Sequence, residues 1–216
     1  ILSTSSEIEA VYGALYKVIG FCNFYLEKVD DLRETLVIDE EIEHLDIYTG
    51  EVYCARALAY SELLKLYCKA YDPATAENEL GVVLVTKWTE PEEAVRASLK
   101  ASYELVVSDL EKAQELLDSD YDMYSSYFLT KAAAQALRAR VALYTANYDD
   151  AITFATDVIA AHPLSANATQ YGDIWGDGFS PEVVFKLTRV PTDGRIGSIY
   201  TDLNGDVLWN VSYDLF

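Results

Sequence analysis

Three rings stand out among the side chains that could do chemistry outside a core: Tyr71, Trp88 and Trp175. Each falls in a loop or beside a turn residue, where the surrounding helical pattern gives a large ring no reason to be. Flat apolar faces of sugars stack on such rings while nearby carboxylates and amides bind the hydroxyls. Exposed aromatics with acidic neighbours such as Asp72 therefore suit a neutral polysaccharide. The competing use of each ring is to anchor its loop onto the body of the fold, and the sequence leaves both uses open.

Catalytic patterns are scarce. Adjacent carboxylates occur at Asp30 with Asp31, at Asp39 to Glu41 and at Glu92 with Glu93. A glycosidase needs two carboxyl groups about 5 to 9 Å apart across a cleft. In a chain with 36 Asp plus Glu against 16 Lys plus Arg, such pairs read first as a solvated face. GxSxG, HExxH, GxxxxGK[ST] and GxGxxG are all absent, so no catalytic residue is assigned and no cofactor is expected. The segment DLNGD, Asp202 to Asp206, lacks the distal glutamate of a calcium loop and reads as a hairpin turn at Asn204 and Gly205. Cys22, Cys54 and Cys68 form no CxxC pair and lie far in sequence from His44 and His162. They read as buried free thiols, and no metal site is expected. Asn167 and Asn210 begin glycosylation sequons, which matter only in a eukaryotic secreted protein. Arg56 sits in the middle of the most apolar helix, so it needs a carboxylate from another helix, with a ligand role as the second reading.

Composition narrows the partners. A formal charge of −20 repels phosphate backbones and anionic headgroups, which argues against nucleic acid and against docking on a membrane through a basic patch. With 51% hydrophobic residues and 17 tyrosines the chain can bury a core. No run reaches the roughly 18 apolar residues of a membrane span.

The elements that must position these groups are helical over the first two thirds. Ser6 with Glu9 fits a capping box, and Ile8, Val11, Tyr12, Leu15, Tyr16 and Ile19 follow at helical steps. Residues 40–71 predict one long or two consecutive helices, the second part apolar on nearly every side and therefore central, ending at Tyr71 to Pro73. Residues 72–97 predict a long, strand-like surface loop, a place to look for a site. Ser98 and Thr130 are plausible N-caps of further helices. After a polar link at 118–127, residues 130–146 and 147–163 make a helical hairpin. Tyr148, Ala151, Ala155, Val158 and Pro163 have the spacing of the second helix of a tetratricopeptide repeat. Six of the ten glycines lie past residue 164, where EVVFKLTRV reads as a strand and residues 196–211 as a hairpin. The expectation is a mainly α fold of tetratricopeptide-like hairpins with a short irregular and β C-terminal portion. A helical domain spans 1–164 with its loop at 72–97, and 165–216 starts an irregular second subdomain, truncated at SYDLF.

The order of segments resembles the SusD/RagB-like outer-membrane nutrient-binding lipoproteins of Bacteroidetes. An Arg-Ala-x-x-Tyr-x-x-Leu helix is met by Arg56, Ala57, Tyr60 and Leu63. A Gly-Val-Pro-Leu-Val loop corresponds to Gly81 to Val85 with Val83 in place of proline. A Tyr-x-x-x-x-x-Asp-Leu-x-x-Ala helix is matched by Tyr103, Asp109, Leu110 and Ala113. The lipidated N-terminal cysteine is missing, and family members run to about twice this length, so the resemblance covers their N-terminal half. It implies a non-catalytic component of a glycan-uptake system at the cell surface, anchored in the outer membrane through a lipid absent from this chain. Oligosaccharide or another nutrient would pass to a SusC-like TonB-dependent transporter. It also implies ligand contacts from the loops bearing Tyr71, Asp72 and Trp88, with Trp175 as a further candidate. The alternatives are a helical protein-interaction scaffold that binds no sugar, favoured if Tyr71, Trp88 and Trp175 are buried, and a glycoside hydrolase acting through Glu92 or Asp72.

Overall fold

A computed structural model of the chain describes residues 6–89, 93–117, 127–176, 178 and 180–187. The chain divides into a unit spanning residues 1–186 and a second spanning 187–216, and the account below concerns the first. Glu92, the DLNGD turn, the 196–211 hairpin, Asn210 and most of the 118–127 link lie outside the described residues.

Among the described residues, six helices and two short strands follow in order: α1 (Ser6–Arg33), α2 (Asp39–Tyr67), β1 (Leu80–Val83), β2 (Arg96–Ser98), α3 (Leu99–Leu116), α4 (Lys131–Tyr144), α5 (Tyr148–Ala161) and α6 (Ala168–Trp175). The fold is mainly α, of the tetratricopeptide-like type that the residue spacing predicts. The second helix is one continuous rod, and it is central: Cys54, Ala57, Ala59, Tyr60, Leu63 and Leu64 are all buried. Small residues along it let α1 and α3 approach, and Ile19, Leu99, Val106 and Leu110 close the core from those neighbours. On α1 the stripe Tyr12, Leu15, Tyr16 and Ile19 packs inward, but Val11 is exposed. At about 100° per residue, position 11 falls off the edge of that stripe.

Local capping chemistry fixes the starts of α3 to α6, whereas Ile38 before α2 offers no side-chain cap. Ser98 Oγ accepts from the Ala101 N–H at 3.1 Å, Thr130 Oγ1 from Ala133 at 3.3 Å and Asn147 Oδ1 from Asp150 at 3.4 Å. Asn167 is engaged in the same way, accepting from Thr169 and Gln170 at 3.0 Å each. The α4 to α5 turn is tight enough to need a left-handed residue, which Ala146 supplies at φ 59°.

The end of α2 differs from expectation. The helix stops at Tyr67 and Cys68 is already extended (φ −118°, ψ 167°). The cause lies far along the chain: Arg96 Nη2 donates to the freed Tyr67 carbonyl at 3.4 Å and to Leu80 O at 3.1 Å, while its Nε donates to Gly81 O at 2.6 Å. One guanidinium thus terminates a helix and ties it to a strand. The 72–97 loop is also more ordered than a surface crossing. β1 pairs antiparallel with β2, Leu80 opposite Ser98 and Val83 opposite Arg96, with a register irregularity between them. Gly81 and Val82 are buried against α3. A Cβ on Gly81 would collide with Ser102 Oγ and come within 2.6 Å of Ser98 O, so only glycine fits there.

The strand read at EVVFKLTRV does not form over its described part, 182–187, which is irregular. Val183, Val184 and Phe185 instead line a cleft with Cys54 and Leu58 of α2 and Leu137 of α4. The segment 180–182 is tied back to the end of α5 through Pro181 O to His162 Nδ1 (2.9 Å), Ser180 Oγ to Ser165 Oγ (3.0 Å) and Glu182 Oε2 to the Ser165 N–H (2.6 Å).

Candidate functional site

The richest polar chemistry in the unit converges on the segment from Val83 to Trp88. One face of α1 carries Tyr16, Gly20, Asn23 and Glu27, spaced at i, i+4, i+7 and i+11, a single stripe of a 3.6-residue helix. Tyr16, Asn23 and Glu27 of that stripe bond the loop. Tyr16 donates its hydroxyl to Val83 O at 2.8 Å. Asn23 Nδ2 donates to Val85 O at 2.8 Å and to Lys87 O at 3.1 Å. Glu27 Oε1 accepts the Trp88 N–H at 2.8 Å. The indole lies over Gly20, where a Cβ would make ordinary van der Waals contact at 3.6 Å from Cζ3. From α2, the Tyr60 hydroxyl lies 2.8 Å from both Val85 N and Val85 O, accepting from one and donating to the other. A loop without a full strand partner has its backbone groups satisfied by side chains instead.

Behind this clamp lies a buried ion pair. Arg56 donates from Nε and Nη2 to the two carboxylate oxygens of Asp109, each at 2.7 Å, and from Nη1 to Asn23 Oδ1 at 2.7 Å. Asp109 and Asn23 are both 0% exposed. Burial works against the Arg56 charge, but the hydrogen bonds and charge of Asp109 prevail and hold its pKa above the ordinary value. The same burial pushes the Tyr60 phenol up to about 12, partly offset by its bond to Val85, and pushes Tyr16 up as well. These groups keep one protonation state throughout the neutral range, so the clamp is a fixed scaffold. The expected carboxylate partner of Arg56 is present, and the structure identifies it as Asp109.

The four residues picked from the sequence fall in three places. Trp88 is 49% exposed, with its ring edge-on to Phe24 at 5.3 Å between centroids, so one face packs on α1 while the rest remains open. Tyr71 is half-buried, edge-on to Tyr103 at 5.2 Å, and lines a cleft of about 350 Å³ with Tyr103, Tyr144, Leu64, Cys68 and Lys69. Asp72 is exposed beside it and uses Oδ1 to accept the Ala74 N–H at 2.9 Å, so part of its role is to make the turn. Trp175 ends α6, 77% exposed, with Tyr171 at 6.2 Å. Tyr71 and Asp72 are brought together, whereas Trp88 and Trp175 each sit on a different element. None of the three rings is buried in the body.

One run of adjacent carboxylates has a structural use. Asp39 to Glu41 occupy the first turn of α2, where the helix dipole favours them. Asp39, Glu43, Asp46 and Glu115 line an open cleft of about 520 Å³, with Arg33 paired to Asp46. Asp30, Asp31 and Glu93 are exposed. Among the described residues no group of His, Cys, Asp and Glu could hold a metal ion, and Cys22, Cys54 and Cys68 are free thiols. Desolvation raises Cys22 to about 11 and Cys54 to about 12, which makes them poor nucleophiles. Sequence reasoning missed Asn23, Glu27 and Gly20. The signal was their regular spacing with Tyr16, a second stripe lying beside the apolar one.

Comparisons with known proteins bear on this geometry. Residues 2–143 match the family model SusD-like_3, described as starch-binding and associating with the outer membrane. A curated relative, SusD-like protein P38 of Formosa agariphila, is 29% identical over 167 residues, covering 74% of this chain and 28% of that protein. Among solved structures, a SusD superfamily protein from Bacteroides fragilis is 25% identical with a TM-score of 0.75, covering 92% of this chain and 46% of the other. One from Bacteroides thetaiotaomicron is 26% identical with a TM-score of 0.69, covering 86% and 40%. The chain therefore spans less than half the length of each of these proteins.

Proposed function

The chain belongs to the SusD-like family, and on that premise we propose that it is the helical part of a non-catalytic glycan-capture protein at the outer-membrane surface, passing oligosaccharide to a SusC-like TonB-dependent transporter. The observation that carries this reading is Trp88: a half-exposed indole on a backbone held at Val83, Val85, Lys87 and Trp88. A stacking platform binds best when the cost of ordering it has already been met by the fold. Beside it in the proposal stand Tyr71 and Asp72, where a cleft lined by three tyrosines adjoins an exposed carboxylate. Ring faces would take the apolar side of a pyranose, and the carboxylate its hydroxyls. Trp175 is proposed as an outer contact on account of its exposure. Stacking and hydrogen bonding need no cofactor, and attachment to the membrane would come from a lipid anchor.

The scaffold reading draws on α5, whose outer residues Tyr148, Ile152 and Ile159 are exposed. It is the weaker one, because Trp88 and Trp175 are open to solvent and Tyr71 is only half-buried. The test is isothermal titration of the full-length protein against neutral oligosaccharides, with Trp88→Ala and Tyr71→Ala beside it. Loss of one stacking ring is expected to weaken binding by about tenfold, a little over 1 kcal/mol. Binding to no glycan, with no transporter co-purifying, would sink the proposal.

A further inference from the structure

We propose that Asn23 is a positioning residue for Trp88: it couples the buried Arg56–Asp109 pair to the loop that carries the ring, so ligand affinity depends on a side chain that never touches ligand. The inference rests on the reading of Trp88 as a binding platform and adds to it the device that sets the platform. Asn23 is 0% exposed on α1, and each end of its amide has a distinct job. Its Oδ1 accepts from Arg56 Nη1 at 2.7 Å, so the arginine, itself fixed by two bonds to Asp109, dictates which way the amide faces. Its Nδ2 is thereby aimed at the loop, with one hydrogen for Val85 O and one for Lys87 O. Those carbonyls flank Thr86, and the second lies immediately before Trp88.

An amide is the one side-chain type of this size that fits. Aspartate could satisfy Arg56 but has no donors and would set a negative charge against two carbonyl oxygens. Leucine would take the acceptor from buried Arg56 Nη1 and the donor from Lys87 O, and would leave Val85 O with Tyr60 alone. The remaining loop contacts come from other residues: Tyr60 holds Val85 and Glu27 holds the Trp88 N–H. Removal of the Asn23 donors therefore loosens the loop without dismantling the three-helix body.

The experiment uses the full-length protein with Asn23→Asp and Asn23→Ala. Asn23→Asp keeps an acceptor for Arg56 and turns the two donors into an oxygen that repels the loop carbonyls, while Asn23→Ala removes the donors without adding charge, so the pair separates positioning from loss of the ion pair. Hydrogen exchange is read at the Val85 and Trp88 amides and at core amides of α2 and α3, and oligosaccharide affinity is read in parallel. Expected for Asn23→Asp is a cooperative fold, exchange about tenfold or more faster at the two loop amides, unchanged protection in the helices, and weaker glycan binding. Unchanged exchange at Val85 and Trp88 in both variants overturns the proposal, as does loosening of the loop with undiminished affinity. If wild-type protein binds no glycan, the capture reading fails and with it the role of Asn23 in affinity, while the exchange data still report whether Asn23 holds the loop.

Discussion

The body made by α1, α2 and α3 and the hairpin made by α4 and α5 use their side chains in opposite ways. The body buries polar and charged groups: Asn23, Thr49, Arg56, Ser61, Ser102 and Asp109. The hairpin is joined through alanines and a cation–π contact of Arg138 over Phe154, 4.6 Å to the ring centroid, and no residue of α5 is fully buried. Where a loop without full strand pairing must be fixed in one conformation, its carbonyls and amides need partners, and the core becomes polar to supply them. Where helix meets helix, the backbone is self-satisfied and small apolar residues suffice.

The sharpest way to break this contrast is Arg56→Ala. It leaves the Asp109 carboxylate buried without its cation and Asn23 Oδ1 without its donor. Loss of one partner of a buried pair is expected to cost about 3 to 5 kcal/mol, read as a fall in the urea midpoint. Arg56→Met with Asp109→Leu should recover much of that stability, since well-packed apolar substitutes remove the desolvation cost on both sides. The double variant should still show a loosened Val85 to Trp88 loop. A cost under about 1 kcal/mol for Arg56→Ala would mean that the pair contributes little beyond packing.

The two regions also differed in how much of them could be read from sequence. In the hairpin much was legible, because the cues are local: Thr130 as a cap, the spacing of Tyr148, Ala151, Ala155 and Val158, and the break between residues 146 and 147. In the body, the need of Arg56 for a carboxylate was legible from its apolar surroundings, but the choice of Asp109, 53 residues away, was not. Arg96 ended α2 four residues before Tyr71 by reaching back across the chain, a contact no local propensity encodes. The Asn23 stripe was passed over because polar residues on a helix read as solvent-facing unless a partner is known. Trp88 reads from the sequence as a ring in a loop and is half-exposed in the structure, while the contacts that place it come from α1.

High pH separates the regions through the buried phenols. Burial raises Tyr60 and Tyr103 to about 12 and Tyr16 as well, and all three lie in the body or against β1. Below pH 10 folded and unfolded chains both hold these protons, so the groups add no pH dependence. Between pH 10 and 12 the unfolded chain releases them and the folded chain does not, so stability falls as pH rises, by roughly 2 to 3 kcal/mol for Tyr60 alone. Tyr60→Phe should flatten that slope in a series of denaturant midpoints. A slope identical to wild type would show that Tyr60 titrates freely and does not hold Val85.

The smallest effect is expected on the outer face of α5. Ile152 and Ile159 are 66% and 62% exposed and lie seven residues apart, on one side of the helix. Exposed apolar side chains lose little when replaced, and a lysine on a solvated helix face carries no desolvation cost, so Ile152→Lys and Ile159→Lys should each move the stability of this 216-residue chain by no more than about 0.5 kcal/mol. The inner face gives the control. Phe154→Ala removes the ring under Arg138 and should cost about 1 kcal/mol or more, because that guanidinium also bridges to Glu111 at 2.8 Å and Gln114 at 3.3 Å on α3. Thermal melts of the three variants would order them. If the isoleucine variants lost as much as Phe154→Ala, α5 would be packed on both faces, and the division between a polar, closed body and an open hairpin would fail at its second half.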